Sequence, residues 1–202
     1  MSKESVIVTD VENTLFDWLE MWICGFDAML FELVKIFDRE DSVVKQSIRR
    51  ANQILGTSER DEVVLHLDFI DSVARERNAR TLLEIAERFR GAKAAATRLY
   101  PEILSTLDCL RGRGFRIVCL TESVRPYAVA RISQLGLDGH IDLLVCQEFS
   151  DTTESLFRTP ETFLQHTQIM TFEPDFKKSN PRLLIRICDY LGFTCDRDRL
   201  CW

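Results

Sequence analysis

Val6-Ile7-Val8-Thr9-Asp10-Val11-Glu12-Asn13-Thr14-Leu15 is the stretch that decides the fold. A short apolar, β-branched run ends on a carboxylate, a second carboxylate follows two residues later, and a hydroxyl residue follows that. The pattern reads as a buried strand that delivers polar groups from its C-terminal end. Open α/β sheets keep their chemistry at such strand ends.

Composition bounds what surrounds this strand. At 202 residues the chain can bury one substantial core, or a core domain carrying a smaller subdomain. Its hydrophobic fraction of 46% beside 29% charged residues is that of an ordinary globular protein. A formal net charge of -6 argues against a generic polyanion surface, so no nucleic-acid partner is expected. Seven cysteines form no CxxC pair and no metal spacing, and most sit in apolar runs, which favours reduced core thiols. His66, His140 and His166 are isolated and show no ligand spacing. No apolar run approaches the ~20 residues of a membrane span, and the N-terminus leads straight into the first strand. A cytoplasmic protein without a membrane partner is the expectation.

Beyond the first strand, Trp18, Trp22, Ile23, Phe26, Met29, Leu30, Leu33, Val34 and Phe37 recur at three and four, marking a helix with a broad apolar stripe. A second helix is expected through Val43 to Leu55, ending at Gly56, and a third from a cap at Ser58 to Asp61 through Ile70. A fourth covers Thr81 to Arg90, with Gly91 to Tyr100 as its partner. The α/β pattern resumes only afterward, with a helix opened by Pro101 and a strand at Phe115 to Leu120 that ends at Thr121-Glu122-Ser123. A helix from Pro126 to Gly136 and a strand from Ile141 to Cys146 follow. Gln147 to Glu173 is the least patterned part, with Ile169 to Phe172 as a short strand or flap. A last helix runs from Pro181 through Leu191.

Asp10-Val11-Glu12-Asn13-Thr14, Thr121 at the end of the next core strand, and Lys178 ahead of the Pro181 helix resemble, in order, three motifs of the haloacid dehalogenase-like hydrolases. Lys177 is the competing choice for the lysine. The first motif of that family reads Asp-x-Asp-x-Thr, so Glu12 stands where a second Asp is usual. The resemblance implies an α/β fold: a Rossmann-like three-layer core with a mostly parallel sheet, formed by residues 1–16 and 99–202, and a helical cap subdomain at 17–98. A bundle that only adds stability would leave the same helical pattern.

The resemblance also implies roles. Asp10 would be the nucleophile, Thr121 a donor to phosphate oxygen and Lys178 the charge that steadies both. Glu12 would replace the general acid/base, and its extra methylene is a displacement able to cost ~100-fold in rate. Mg2+ would be held by Asp10 and the backbone carbonyl of Glu12. Asn13, Trp18, Thr121 and Glu122 would contact substrate, with Trp18 alternatively anchoring its helix. The implied activity is a magnesium-dependent phosphatase of a small phosphorylated molecule, acting through an aspartyl-phosphate. The alternatives are a weak or inactive relative kept for binding or assembly, and a metal-independent dehalogenase.

After Gly192 the family continues into a fourth motif, a strand ending in an acidic pair. No apolar strand precedes Asp196 and Asp198, so that motif is not carried onto them and the core is expected to be C-terminally incomplete. The first strand would then lie at a sheet edge, an open route to self-association.

Overall fold

The computed structural model describes residues 5–148, 162–173 and 177–193. In chain order its regular elements are β1 (Ser5–Asp10), α1 (Trp18–Phe37), α2 (Asp41–Leu55), α3 (Ser72–Arg77), α4 (Ala79–Ala96) and α5 (Ile103–Gly112). These are followed by β2 (Phe115–Val124), α6 (Arg125–Gln134), β3 (Leu143–Gln147), β4 (Gln168–Phe172) and α7 (Pro181–Tyr190). Two units hold these elements, and the chain passes between them at Thr14/Leu15 and at Pro101/Glu102.

The α/β unit is built on a four-stranded, all-parallel sheet in the order β1-β2-β3-β4. Parallel neighbours need a crossover between them, and α5 and α6 supply the first two. The run Leu143 to Cys146 is buried at every position, as a strand covered on both faces requires. Val118, Leu120, Leu143, Val145, Met170 and Phe172 pack with Leu183, Leu184 and Ile187 of α7 in one cluster. The alternating residues Ile117, Cys119, Leu144 and Cys146 are buried toward the opposite face, and α5 and α6 pack against β2. The result is the three-layer Rossmann-like arrangement. Burial of each of the three α7 side chains is worth roughly 1.5–3 kcal/mol, so this face fixes where α7 begins and hence where Lys178 stands.

β1 has its partner on one side only among the described residues, and its burial is correspondingly shallow, with Val8 39% exposed. The segment expected as a strand or flap at 169–172 is a full member of the sheet. Asp138 prepares its entry by accepting from the N–H groups of Gln165, His166 and Thr167 at 2.8, 3.1 and 3.0 Å. Burial raises the Asp138 pKa, but these bonds outweigh it and leave the carboxyl below its usual value. Residues 149–161 of the unpatterned region, and the tail after 193 with Asp196 and Asp198, lie outside the described residues.

The second unit, Leu15–Pro101, is helical. Met29 and Leu33 of α1, Val44, Ile48 and Ala51 of α2, and Leu82, Ile85, Ala86 and Phe89 of α4 share one core. Two expectations are corrected here. Instead of a helix through Ile70 there is a 3₁₀ turn at Asp61–Leu65 followed by irregular chain up to α3. Side chains satisfy that irregular backbone: the Ser47 hydroxyl accepts from the Asp68 N–H at 3.0 Å, and the Arg75 guanidinium donates to the carbonyls of Leu67 and Ile70 at 3.2 and 3.0 Å. Val63, Val64, Leu67 and Ile70 therefore reach the core without a helix. The expected break at Gly91 is also absent, and α4 runs through it. Gly91 is exposed, where a helical glycine costs only about 1 kcal/mol, less than the burial of the flanking apolar positions returns. Among the described residues no helix is long and apolar enough to cross a membrane.

The buried Gly25 sets the approach of α1 to α4. A Cβ added there would lie 2.5 Å from Cγ of Lys93 and 3.1 Å from the Phe89 ring. Gly25→Val should lower stability by about 1–3 kcal/mol through overpacking, read as a reduced urea midpoint; an unchanged midpoint would show that the two helices separate freely.

Candidate active site

Asp10 is the last residue of β1, and the chain bends immediately after it. Its Oδ1 accepts from the Val11 N–H at 2.6 Å and from the Lys178 ammonium. Asn13 turns the loop by adopting φ 55°, a left-handed conformation that Asn accepts more readily than most residues, and the Thr14 N–H closes the turn on the Val11 carbonyl at 3.4 Å.

Lys178, rather than Lys177, is the lysine that reaches Asp10. Two local features hold it there. Its N–H donates to Glu122 Oε1 at 2.9 Å, and the Asn180 side chain caps α7 by accepting from the Arg182 N–H at 3.0 Å. Glu122, expected to contact substrate, thus positions the lysine segment. The Asp10 carboxylate remains 43% exposed and the Lys178 side chain 26% exposed, so this part of the site is open.

Glu12 occupies a different setting. Its carboxylate accepts from the Thr121 hydroxyl at 2.8 Å, from the Ser123 hydroxyl at 3.3 Å and from the Arg131 guanidinium at 2.5 Å. Arg131 is 7% exposed and lies on the buried side of α6 with Ala128 and Ile132. It also donates to the Ser123 hydroxyl at 3.0 Å. The Thr121 oxygen accepts in turn from the Ser123 N–H at 2.9 Å. β2 loses register with β3 between Leu120 and Val124, and along this irregular end Thr121 and Ser123 both turn to Glu12 whereas Glu122 reaches the Lys178 N–H. The three sequence-predicted residues Asp10, Thr121 and Lys178 and the altered Glu12 are therefore gathered in one place, together with Arg131 and Ser123, which sequence reasoning missed.

Arg131 carried a detectable signal: it stands three residues after Ala128 and four before Leu135, on the stripe that α6 buries. Trp18, expected to contact substrate, belongs to the helical unit, where its indole donates to Glu59 Oε1 at 2.5 Å. Below the site, burial raises the pKa of the Cys119 thiol, and the Glu12 and Asp10 carboxylates push it further in the same direction. Cys119 is therefore a packing residue.

For a magnesium ion, Asp10 Oδ2 has no hydrogen-bond partner among the described residues, and the Glu12 carbonyl is close in sequence. No group of three or more His, Cys, Asp or Glu side chains assembles among the described residues. Mg2+ commonly takes one or two carboxylates and completes its shell with water and substrate phosphate, and with Oδ1 held by Lys178 and the Val11 N–H, Asp10 would offer it one carboxylate oxygen at most.

A family model described as haloacid dehalogenase-like hydrolase matches residues 5–197. The chain belongs to this family. Among solved structures, a haloacid dehalogenase-like family hydrolase from Xanthomonas campestris superposes with a TM-score of 0.53 at 14% identity, covering 96% of this chain and 70% of that one. A haloacid dehalogenase-superfamily hydrolase of subfamily IA from Geobacter sulfurreducens gives a TM-score of 0.50 at 15% identity, over 94% and 73% of the two chains. At these identities the likeness shows the fold. No curated protein sequence matches the chain.

Thr121 is 1% exposed and its hydroxyl both donates and accepts. Thr121→Val should cost about 1–3 kcal/mol by leaving Glu12 and the Ser123 N–H short of a partner, whereas Thr121→Ser should retain most of the stability. Equal urea midpoints for the two variants would contradict the bridging role.

Proposed function

We propose that the chain is a phosphoric monoester hydrolase of a small phosphorylated molecule, with Asp10 as nucleophile. The observation that carries this reading is the state of the Asp10 carboxylate. One oxygen is held by Lys178 and the Val11 N–H, and the other is directed away from any described partner in a half-exposed setting. In the first step Asp10 Oδ2 forms a bond to phosphorus while the ester P–O bond breaks, and the departing alkoxide takes up a proton. In the second step water attacks phosphorus, the acyl phosphate P–O bond breaks, and inorganic phosphate leaves with Asp10 restored. Lys178 orients the carboxylate and offsets charge on the equatorial oxygens. A bound Mg2+ would contribute further charge neutralisation of the phosphoryl oxygens.

Glu12 is the residue whose chemistry must change during this cycle. Three donors point at its oxygens, the arrangement of an acceptor, and the Thr121 hydroxyl proton is committed to it. Service as general acid requires Glu12 to leave Arg131 and Thr121, and service of Thr121 to a phosphate oxygen requires the same exchange. That constraint favours a second reading, a slow or noncatalytic relative in which Glu12 keeps the site closed. The names of the solved relatives span both hydrolysis of phosphate esters and dehalogenation, and a dehalogenase would use Asp10 equally as nucleophile.

Turnover of p-nitrophenyl phosphate and a panel of small phosphate esters, with and without magnesium, separates these readings. Magnesium-stimulated turnover that falls about a thousandfold or more in Asp10→Asn is expected. Turnover equal in the two proteins would overturn the assignment of Asp10, and silence of a folded wild-type chain across the panel would favour the closed-site reading.

A further inference from the structure

The donors that converge on Glu12 are those of an oxyanion site. Arg131 donates to its carboxylate at 2.5 Å, the Thr121 hydroxyl at 2.8 Å and the Ser123 hydroxyl at 3.3 Å. A guanidinium recognises carboxylate and phosphate oxygens alike, and hydroxyl donors do not distinguish them either. The positive end of α6 adds to this charge. Ser123 directly precedes Val124, which opens that helix without a capping side chain.

Burial makes an anion obligatory here. Arg131 and Thr121 are both buried, so departure of Glu12 into solvent with nothing in its place would leave an unpaired cation in the interior. Exchange for another oxyanion is different, because Arg131 and the two hydroxyls keep an acceptor throughout. Glu12 is the member placed to leave. Its side chain is part-exposed, and it comes from the loop on which Asn13 and Thr14 are exposed, whereas Arg131 and Thr121 are anchored on α6 and β2. A phosphate dianion also presents the guanidinium with more charge than the single carboxylate it replaces.

We propose that Thr121, Ser123 and Arg131 form an oxyanion cradle which the chain's own Glu12 fills at rest, and that a phosphate group enters it by displacing that carboxylate. Ser123 and Arg131 thereby become phosphate-binding residues. Glu12 becomes an autoinhibitory one, released for proton transfer only once phosphate has taken its place. The inference rests on the reading that the chain acts on a phosphate group, and it names how that group is admitted. No covalent step is part of the exchange.

The test is a titration of the full chain with inorganic phosphate, read as affinity by calorimetry and as location by the Arg131 Nε–H resonance, assigned through Arg131→Lys. Phosphate should move that resonance in the wild type. In Glu12→Ala it should bind about tenfold or more tightly, because the internal competitor is gone, and acetate should compete with it there. Glu12→Gln, which keeps the size of the side chain and so the fold, should show a several-fold gain. The gain should vanish when Arg131→Gln is added to either variant. The assignment is overturned by an Arg131 resonance that phosphate leaves in place in the wild type, by equal affinities of the wild type and both Glu12 variants, or by a gain that survives Arg131→Gln. Turnover is not read, so tightened binding in a chain silent toward phosphate esters upholds the cradle and removes only the hydrolysis, and turnover without tightening does the reverse.

Discussion

The ion pair between Glu12 and Arg131 is the constraint on which the geometry of the α/β site depends. Arg131 is almost wholly buried beside a Glu12 carboxylate that is 18% exposed, and a buried cation left without its carboxylate costs several kcal/mol. The pair ties the loop after β1 to the buried stripe of α6, 119 residues further on, and to the irregular end of β2 that directly precedes α6. Because Ser123 and Thr121 share the same carboxylate, the end of β2 is held in its irregular form by the partner that α6 supplies. Glu12 carries one methylene more than an Asp would, and its carboxylate ends on Arg131 and Thr121.

This arrangement divides the site into two halves with different character. Asp10 and Lys178 form an open, charged half in which one carboxylate oxygen is steadied and the other is available. Glu12, Thr121, Ser123 and Arg131 form a closed half in which the Thr121, Ser123 and Arg131 side chains all donate to Glu12. Catalysis by the open half alone would supply a nucleophile without the usual proton relay. Joint action of both halves requires a phosphate oxygen to compete with Glu12 for Thr121. Membership of the haloacid dehalogenase-like hydrolases explains why these residues stand at strand ends in this order. Whether the closed half opens is a property of the Glu12 contacts themselves.

Much of this was legible from the residues. The β-branched run before Asp10 and the apolar runs before Thr121 and Gln147 identified strands because their composition and length leave few other options, and Pro181, the first residue of α7, marked its start. Lys178 was legible only through its family resemblance, since it meets Asp10 across 168 residues and local sequence cannot express that contact. Arg131 was not read as a site residue because a cation in a ten-residue helix looks like a solvated group until a buried carboxylate is known to face it. Tertiary contacts likewise decided the chain between Leu65 and α3: Ser47 and Arg75 satisfy its backbone, so apolar spacing that suggests a helix there is met by an irregular path. Gly91 shows the converse, a residue that weakens a helix locally and is overridden by the burial on either side of it.

The most direct test of the account is a double-mutant cycle on stability, with Glu12→Gln, Arg131→Gln and the combined variant compared by urea unfolding. Coupling of about 1.5–3 kcal/mol between the two positions is the predicted result. Additive effects, with coupling indistinguishable from zero, would mean that Arg131 does not hold the Glu12 carboxylate and that the closed half of the site has some other origin.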